Sequence, residues 1–328
     1  MIMTLSIFST GCSKKDDKVV IGLSLPTQQE ERWVRDKETM EAAAKEAGVE
    51  LKVQIANADS GQQDSQAKNL IAQGVDVLIL APNDAAAAAT IVDEAEKEGI
   101  PVISYDRLIT NTKNLDYYLS FDNVKVGELQ GEYITKAVPK GQYIIMSGDP
   151  ADNNAKLFKE GAMKFLQPLI DSGDITVITD QAVDGWKPEN ALKIVEDSLT
   201  KANNKVDAIL APNDGTAGGA IEAMAAQGLA GNVPITGQDA ELAAAQRIVA
   251  GTQSMTIFKD TRELGKAAIE AAIKLAKGEK LDNATQVVNN GVFDVPSILL
   301  TPYAVDKDNI DKMLIDSGYL KKEDVYKN

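Results

Sequence analysis

The side chains best suited to chemistry in this sequence are Arg32, Trp33, Asp106, Arg107, Asp152, Asn154, Trp186, Asn213, Asp239 and Lys259. They combine cations, carboxylates, amides and indoles, and they hold no nucleophile paired with a base. Such a set matches a ring of hydroxyls: carboxylates accept, guanidinium and ammonium groups donate, and asparagine does both. A hydroxyl left unpaired in a closed site costs about 1–3 kcal/mol, so the set would also discriminate between stereoisomers. The C–H faces of a pyranose are flat and apolar, and an indole covers such a face. The chain has only two tryptophans, and both fall where a strand gives way to a helix, so both are expected to stack on ligand. Trp186 precedes Pro188, a residue suited to a first helical turn.

Neighbouring polar residues have simpler explanations. Asp84 and Asp214 read as helix caps that satisfy free backbone N–H groups. Asn83 and Asn213 fit either a cap or a ligand contact. Histidine is absent, which removes Ser–His and Cys–His pairs and the commonest zinc ligand. Asp106 and Asp239 could be imagined as a glycosidase pair, but Asn and Arg crowd them. The run Gly215–Ala220 is not G-x-G-x-x-G, and Asp306–Asp311 lacks the glycine of a calcium loop. No catalysis, cofactor or metal is expected. A net charge of −15 argues against nucleic acid, whose phosphates require clustered Lys and Arg.

These residues need a frame. Strand-like runs at Val19–Ser24, Leu51–Ile55, Asp76–Leu80 and Pro101–Tyr105 alternate with helical patterns over 31–47, 64–73 and 85–98. The rhythm restarts with strands at Gln142–Ser147, Ile175–Asp180, Val206–Leu210 and Val233–Thr236, separated by helices over 154–170, 188–201 and 215–227, with another over 241–250. Alternation of this kind gives a mostly parallel sheet covered on both faces. The halves also match in sequence: VDVLILAPND (Val75–Asp84) returns as VDAILAPND (Val206–Asp214), and Asp106 corresponds to Asp239. A further strand (Met255–Phe258), helix (261–277) and strand (Gln286–Asn290) follow, then irregular chain to Pro302 and a last helix over 309–317.

The fold expected is α/β, with two doubly wound parallel-sheet domains joined by a multi-segment hinge. Residues 18–122 with 256–288 would form one lobe, and 123–255 with 289–328 the other. Crossings are placed near Phe121–Val124, Thr252–Thr256 and Val287–Gly291. Ligands of open α/β sheets bind beyond the carboxyl ends of the strands, so two facing lobes would bring the polar residues into one cleft.

Residues 1–17 read as a signal remnant and tether. Cys12, the single cysteine, follows a short apolar stretch and Ser9, Thr10 and Gly11, and precedes a charged run. This resembles the end of a bacterial lipoprotein signal. It implies a lipid on Cys12, extracytoplasmic residence and membrane contact through that lipid alone. An N-terminal helix-turn-helix, as in sugar-responsive repressors of similar core, does not fit before the first strand.

Longer motifs are more specific. ERW (Glu31–Trp33), SYDRLI (Ser104–Ile109), SFDNVKVGELQ (Ser120–Gln130), DNNAKLF (Asp152–Phe158), VDGWKPENALKI (Val183–Ile194), NDGTAGGAI (Asn213–Ile221), GQDAEL (Gly237–Leu242) and GTQSMTIFK (Gly251–Lys259) resemble the D-xylose-binding proteins of bacterial ABC importers, within the ribose/galactose-type periplasmic binding proteins. The resemblance runs from about Val19 to Leu320. It implies sugar contacts at Arg32, Asp106, Arg107, Asp152, Asn154, Asn213, Asp239 and Lys259, with Trp186 and Trp33 stacking. It also implies delivery of the sugar to an ABC permease or, as an alternative, reporting of xylose to a membrane sensor kinase.

Overall fold

The structure is a computed structural model that describes residues 18–327. Cys12 and the proposed tether lie outside the described residues.

The first lobe opens with β1 (Val20–Leu25), α1 (Glu31–Ala47), β2 (Glu50–Ile55), α2 (Ser60–Ala72), β3 (Val77–Leu80), α3 (Ala89–Lys97), β4 (Val102–Tyr105) and β5 (Tyr117–Phe121). Short Val- and Ile-rich runs become strands because both of their faces can be buried. In β3, Val77 and Ile79 enter the core beneath α1, while Leu78 and Leu80 enter the core beneath α2 and α3. Helix α1 stops at Gly48, whose φ of 73° lets its N–H reach the carbonyls of Ala44 and Lys45.

The chain crosses into the second lobe after β5 and continues through α4 (Asn123–Ala137), β6 (Gly141–Ser147), α5 (Asn153–Asp171), β7 (Ile175–Ala182), α6 (Pro188–Lys201), β8 (Ala208–Leu210), α7 (Asp214–Ala226), α8 (Leu242–Ala250) and β9 (Met255–Phe258). Helix α9 (Thr261–Ala276), β10 (Gln286–Asn289) and β11 (Asp294–Leu300) return to the first lobe. The chain ends with β12 (Tyr303–Asp306) and α10 (Lys322–Val325) in the second.

The first sheet has the order β10-β11-β5-β4-β3-β1-β2 and is parallel except at β10. In the second lobe β7, β6 and β8 pair in parallel, and β8 extends to Ile235 by a single bridge. The next residues bond to β9, with Ile257 N donating to Gly237 O and Asp239 N donating to Ile257 O. Strand β9 pairs antiparallel with β12.

The structure departs from the sequence expectations in several places. Strand β5 and helix α4 fill what looked like a gap between the two repeats. The stretch after Asn290 is β11, whose apolar pattern is broken by Asp294, Pro296 and Ser297. The expected helix over 309–317 is one wide turn at Asp311–Ile315, and Val233–Thr236 contributes only the bridge. The lobe limits move accordingly. Strand β9, all but Met255 of which was assigned to the first lobe, pairs with β12 and bonds to Gly237 and Asp239 in the second. Strand β11, assigned to the second lobe, pairs with β5 in the first. The three crossings therefore lie at 121–123, 258–261 and 300–303. Two of them are tied directly, because Asp122 N donates to Leu300 O at 2.9 Å.

Candidate ligand-binding site

Between the lobes lies a narrow cavity lined by polar and aromatic side chains of both. Every side chain singled out from the sequence lines it: Arg32 and Trp33 from α1, Asp106 and Arg107 after β4, Asp152 and Asn154 at the start of α5, Trp186, Asn213, Asp239, and Lys259 after β9. Glu30, Phe158 and Gln238 also line it and were missed. Phe158 and Gln238 stand inside the DNNAKLF and GQDAEL motifs, so the signal for them was present.

The charges interlock. Arg32 Nη1 donates to Asp106 Oδ1 at 2.5 Å, and its Nε and Nη2 donate to Asp36 Oδ2 at 3.0 and 2.9 Å. Asp36 stands one helical turn behind, fully buried, where Tyr105 Oη donates to its other oxygen. Lys259 Nζ lies 3.0 Å from Asp239 Oδ1 and 3.8 Å from Asp106 Oδ1. Arg107 Nε lies 2.9 Å from Asp152 Oδ2, a pair that joins the two lobes. Burial alone would raise the Asp106 pKa, but Arg32, Lys259 and Arg107 outweigh it and hold the carboxyl below its usual range. Asp106 is therefore an ionised acceptor. At Asp152 burial prevails over Arg107, and the pKa rises.

Three lining residues other than glycine adopt left-handed backbone: Asp106 (φ 59°), Trp186 (φ 57°) and Asp239 (φ 97°). Such conformations cost about 1–3 kcal/mol each and persist only where surroundings hold them. Around Asp106 the hold is visible. Its N–H donates to Leu119 O at 2.7 Å, and its carbonyl accepts from Tyr118 Oη at 2.9 Å, Ser120 Oγ at 2.6 Å and Asn154 Nδ2 at 3.0 Å. The last of these bonds crosses between lobes.

The tryptophans differ in setting. Trp33 is 1% exposed and carries the guanidinium of Arg32 at 4.4 Å and that of Arg107 at 5.2 Å from its ring centroid. Trp186 packs edge-on to Phe158, with centroids 6.4 Å apart. It also packs against Gly148, where an added Cβ would fall 2.0 Å from the ring. Only glycine at position 148 leaves room for the indole.

Both indole N–H groups are buried without a protein hydrogen-bond partner. So are Glu30 Oε2, Gln238 Oε1 and Asp239 Oδ1, the last ion-paired to Lys259 without an aligned bond. Five of the nine such atoms among the described residues thus sit on this one cavity. Buried polar groups are normally paired, so this clustering marks where a polar ligand is to be received.

The caps divide. Asp84 accepts from Ala86 N and Ala87 N, as expected of a cap, and Asn83 donates to Ser60 Oγ within the first lobe. Asn213 forms a capping box with Thr216 and also faces the cavity. Asp214 is not the cap expected from the sequence. Asn213 takes that role, and the Asp214 carboxylate accepts instead from Gln253, Thr256 and the Glu241 N–H.

Burial, reinforced by Asp239, pushes Asp214 from 3.8 up to about 7. Burial, reinforced by Asp214 and Asp239, pushes Glu241 from 4.5 to about 8. Burial, only partly offset by Arg32, raises Asp36 from 3.8 to about 6. Acids whose pKa is raised by folding bind protons more tightly in the folded state. Their contribution is complete below about pH 4 and is lost as pH rises through 6–8. With no histidine in the chain, no side chain of ordinary pKa masks that window. The midpoint of thermal unfolding is expected to fall by several degrees between pH 5 and pH 9. A midpoint that rises over that range would mean the three carboxyls are ionised in the fold.

The family model described as periplasmic binding protein domain matches residues 21–280. The D-xylose-binding periplasmic protein of Haemophilus influenzae is 48% identical, over 99% of this chain and 97% of that protein. Its namesake in Escherichia coli is 47% identical, over 99% and 98%. A solved carbohydrate transporter solute-binding protein from Chloroflexus aurantiacus, in complex with D-glucose, superposes with a TM-score of 0.88 at 36% identity, over 94% of this chain and 98% of that one. Two lobes around a polar, half-unpaired cavity and a match that spans most of the sequence lead to one conclusion: the chain belongs to the periplasmic binding proteins.

Proposed function

We propose that this protein captures D-xylose, or a closely similar aldopyranose, by closing its two lobes around the sugar, and that it acts by binding, without catalysis. The observation that carries the reading is the cavity itself. Ionised acceptors, fixed donors and two indoles from both lobes face one small space, and the buried polar atoms that lack protein partners concentrate there. Relatives named for D-xylose binding at nearly half identity support the choice of sugar. The glucose complex of a more distant relative keeps hexoses in the comparison. Extracytoplasmic residence and delivery to an ABC permease follow from the same reading, with lipid on Cys12 as the means of retention.

Calorimetric titration with xylose, glucose, ribose and arabinose tests it. Xylose is expected to bind most tightly. Because ligand that binds only the folded state stabilises by RT ln(1 + [L]/Kd), about 1,000-fold excess over Kd adds about 4 kcal/mol, read as a rise in melting temperature. Binding of ribose without xylose would overturn the choice of sugar. No binding of any monosaccharide would overturn the function.

A further inference from the structure

Beyond the ten side chains singled out above, the cavity holds one more carboxyl, that of Glu30. Glu30 occupies the N-cap position of α1, where a side-chain oxygen ordinarily accepts from a free N–H of the first turn. It makes no such bond. Its carbonyl oxygen accepts from Trp33 N at 3.1 Å, which starts the helix, while the side chain turns into the cavity beside Trp33 and Arg107. There Oε2 is buried with no protein partner. Its neighbours behave differently: Asp106 and Asp152 are engaged by Arg32 and Arg107 at 2.5 and 2.9 Å, and Asp239 by Lys259 at 3.0 Å. Glu30 takes part in none of these pairs. Gln28 and Gln29, just before it, are exposed, so the inward turn is particular to this one side chain.

A buried oxygen without a partner costs about 1–3 kcal/mol when nothing satisfies it. No side chain around it donates to this oxygen, and the nearby cations pair with other carboxylates. Burial pushes the Glu30 carboxyl up, Arg107 and Arg32 pull it down, and Asp239 adds to the rise.

We propose that Glu30 is a specificity-determining residue whose Oε2 accepts a hydrogen bond from one hydroxyl of the bound sugar. The proposal deepens the sugar-binding reading and rests on it. A site built to bond a given hydroxyl rejects the analogue that lacks it far more strongly than an apolar pocket can. Glu30 would therefore set discrimination at one ring position and leave the others to the charged residues.

The experiment titrates wild type, Glu30→Leu and Glu30→Gln with xylose and with its 2-, 3- and 4-deoxy analogues, after checking each variant's fold by circular dichroism and thermal melting. Wild type is expected to bind one of the three deoxy sugars roughly 10- to 100-fold more weakly because of Glu30. In Glu30→Leu the penalty for that same sugar is expected to fall to about 1, with xylose itself weakened. Glu30→Gln, which keeps an acceptor, is expected to retain most of the discrimination. Unchanged ratios in Glu30→Leu, or a loss equal for all four sugars, would overturn the proposal while leaving sugar binding intact. Wild type that binds no xylose at all would instead overturn the reading beneath it.

Discussion

Arg32→Met is expected to abolish measurable xylose binding and to lower stability by about 3–5 kcal/mol, the range for breaking a buried ion pair from one side. Arg32 is 4% exposed and serves two carboxylates at once, Asp36 at 2.9 Å and Asp106 at 2.5 Å. Without it both become buried charges with no close cation, apart from Lys259 at 3.8 Å from Asp106. Asp36 lies outside the cavity, so its distress appears as lost stability. Asp106 lies within it, so its distress appears as lost affinity. Denaturant unfolding and calorimetry read the two effects separately. Arg32→Lys keeps the charge but not the planar fork that reaches both partners, and it is expected to recover stability only in part. Wild-type affinity in Arg32→Met would remove Arg32 from the ligand set.

Gly148→Ala is expected to weaken xylose binding about 30-fold and to lower stability by about 1–3 kcal/mol, the range for an overpacked site. The new methyl would sit 2.0 Å from the Trp186 ring, so the indole must leave its position over the cavity. Buried tryptophans at binding sites are commonly worth 2 kcal/mol or more, and each 1.4 kcal/mol is tenfold in affinity. Gly148 has an ordinary φ and tolerates alanine in the backbone itself, which separates this effect from backbone strain. Tryptophan emission reports the displacement directly. Unchanged affinity in Gly148→Ala would show that Trp186 is packing rather than platform.

What was legible from the sequence followed from local pattern. The βα alternation and the repeated APND segments gave two similar lobes, and residues past strand ends gave the cavity lining. What escaped depended on distant partners. Strand β11 carries Asp294, Pro296 and Ser297 and becomes a strand only because β5 and β10 flank it. Strand β9 sits beside an apparent crossing, and only its bonds to Gly237 and Asp239 fix its lobe. Asp36 and Tyr105 matter to Arg32, but nothing in the spacing links residue 36 to residue 105. The internal repeat also misleads in one respect. Asn83 and Asn213 are equivalent by position, yet Asn83 binds Ser60 within its own lobe and only Asn213 reaches the cavity.

The left-handed backbone at Asp106, Trp186 and Asp239 bears on how this protein would respond to selection. Glycine at any of the three would relieve local strain, since it adopts such φ values freely, but it would delete a carboxylate or an indole from the cavity. That relief, about 1–3 kcal/mol, is smaller than the loss: Asp106 and Asp239 offset buried Arg32 and Lys259, and Trp186 fills the space beside Phe158, so the same side chains hold both the ligand and the fold. Selection for heat resistance alone, without sugar, would therefore tend to leave these three residues in place, and the site would outlast its use.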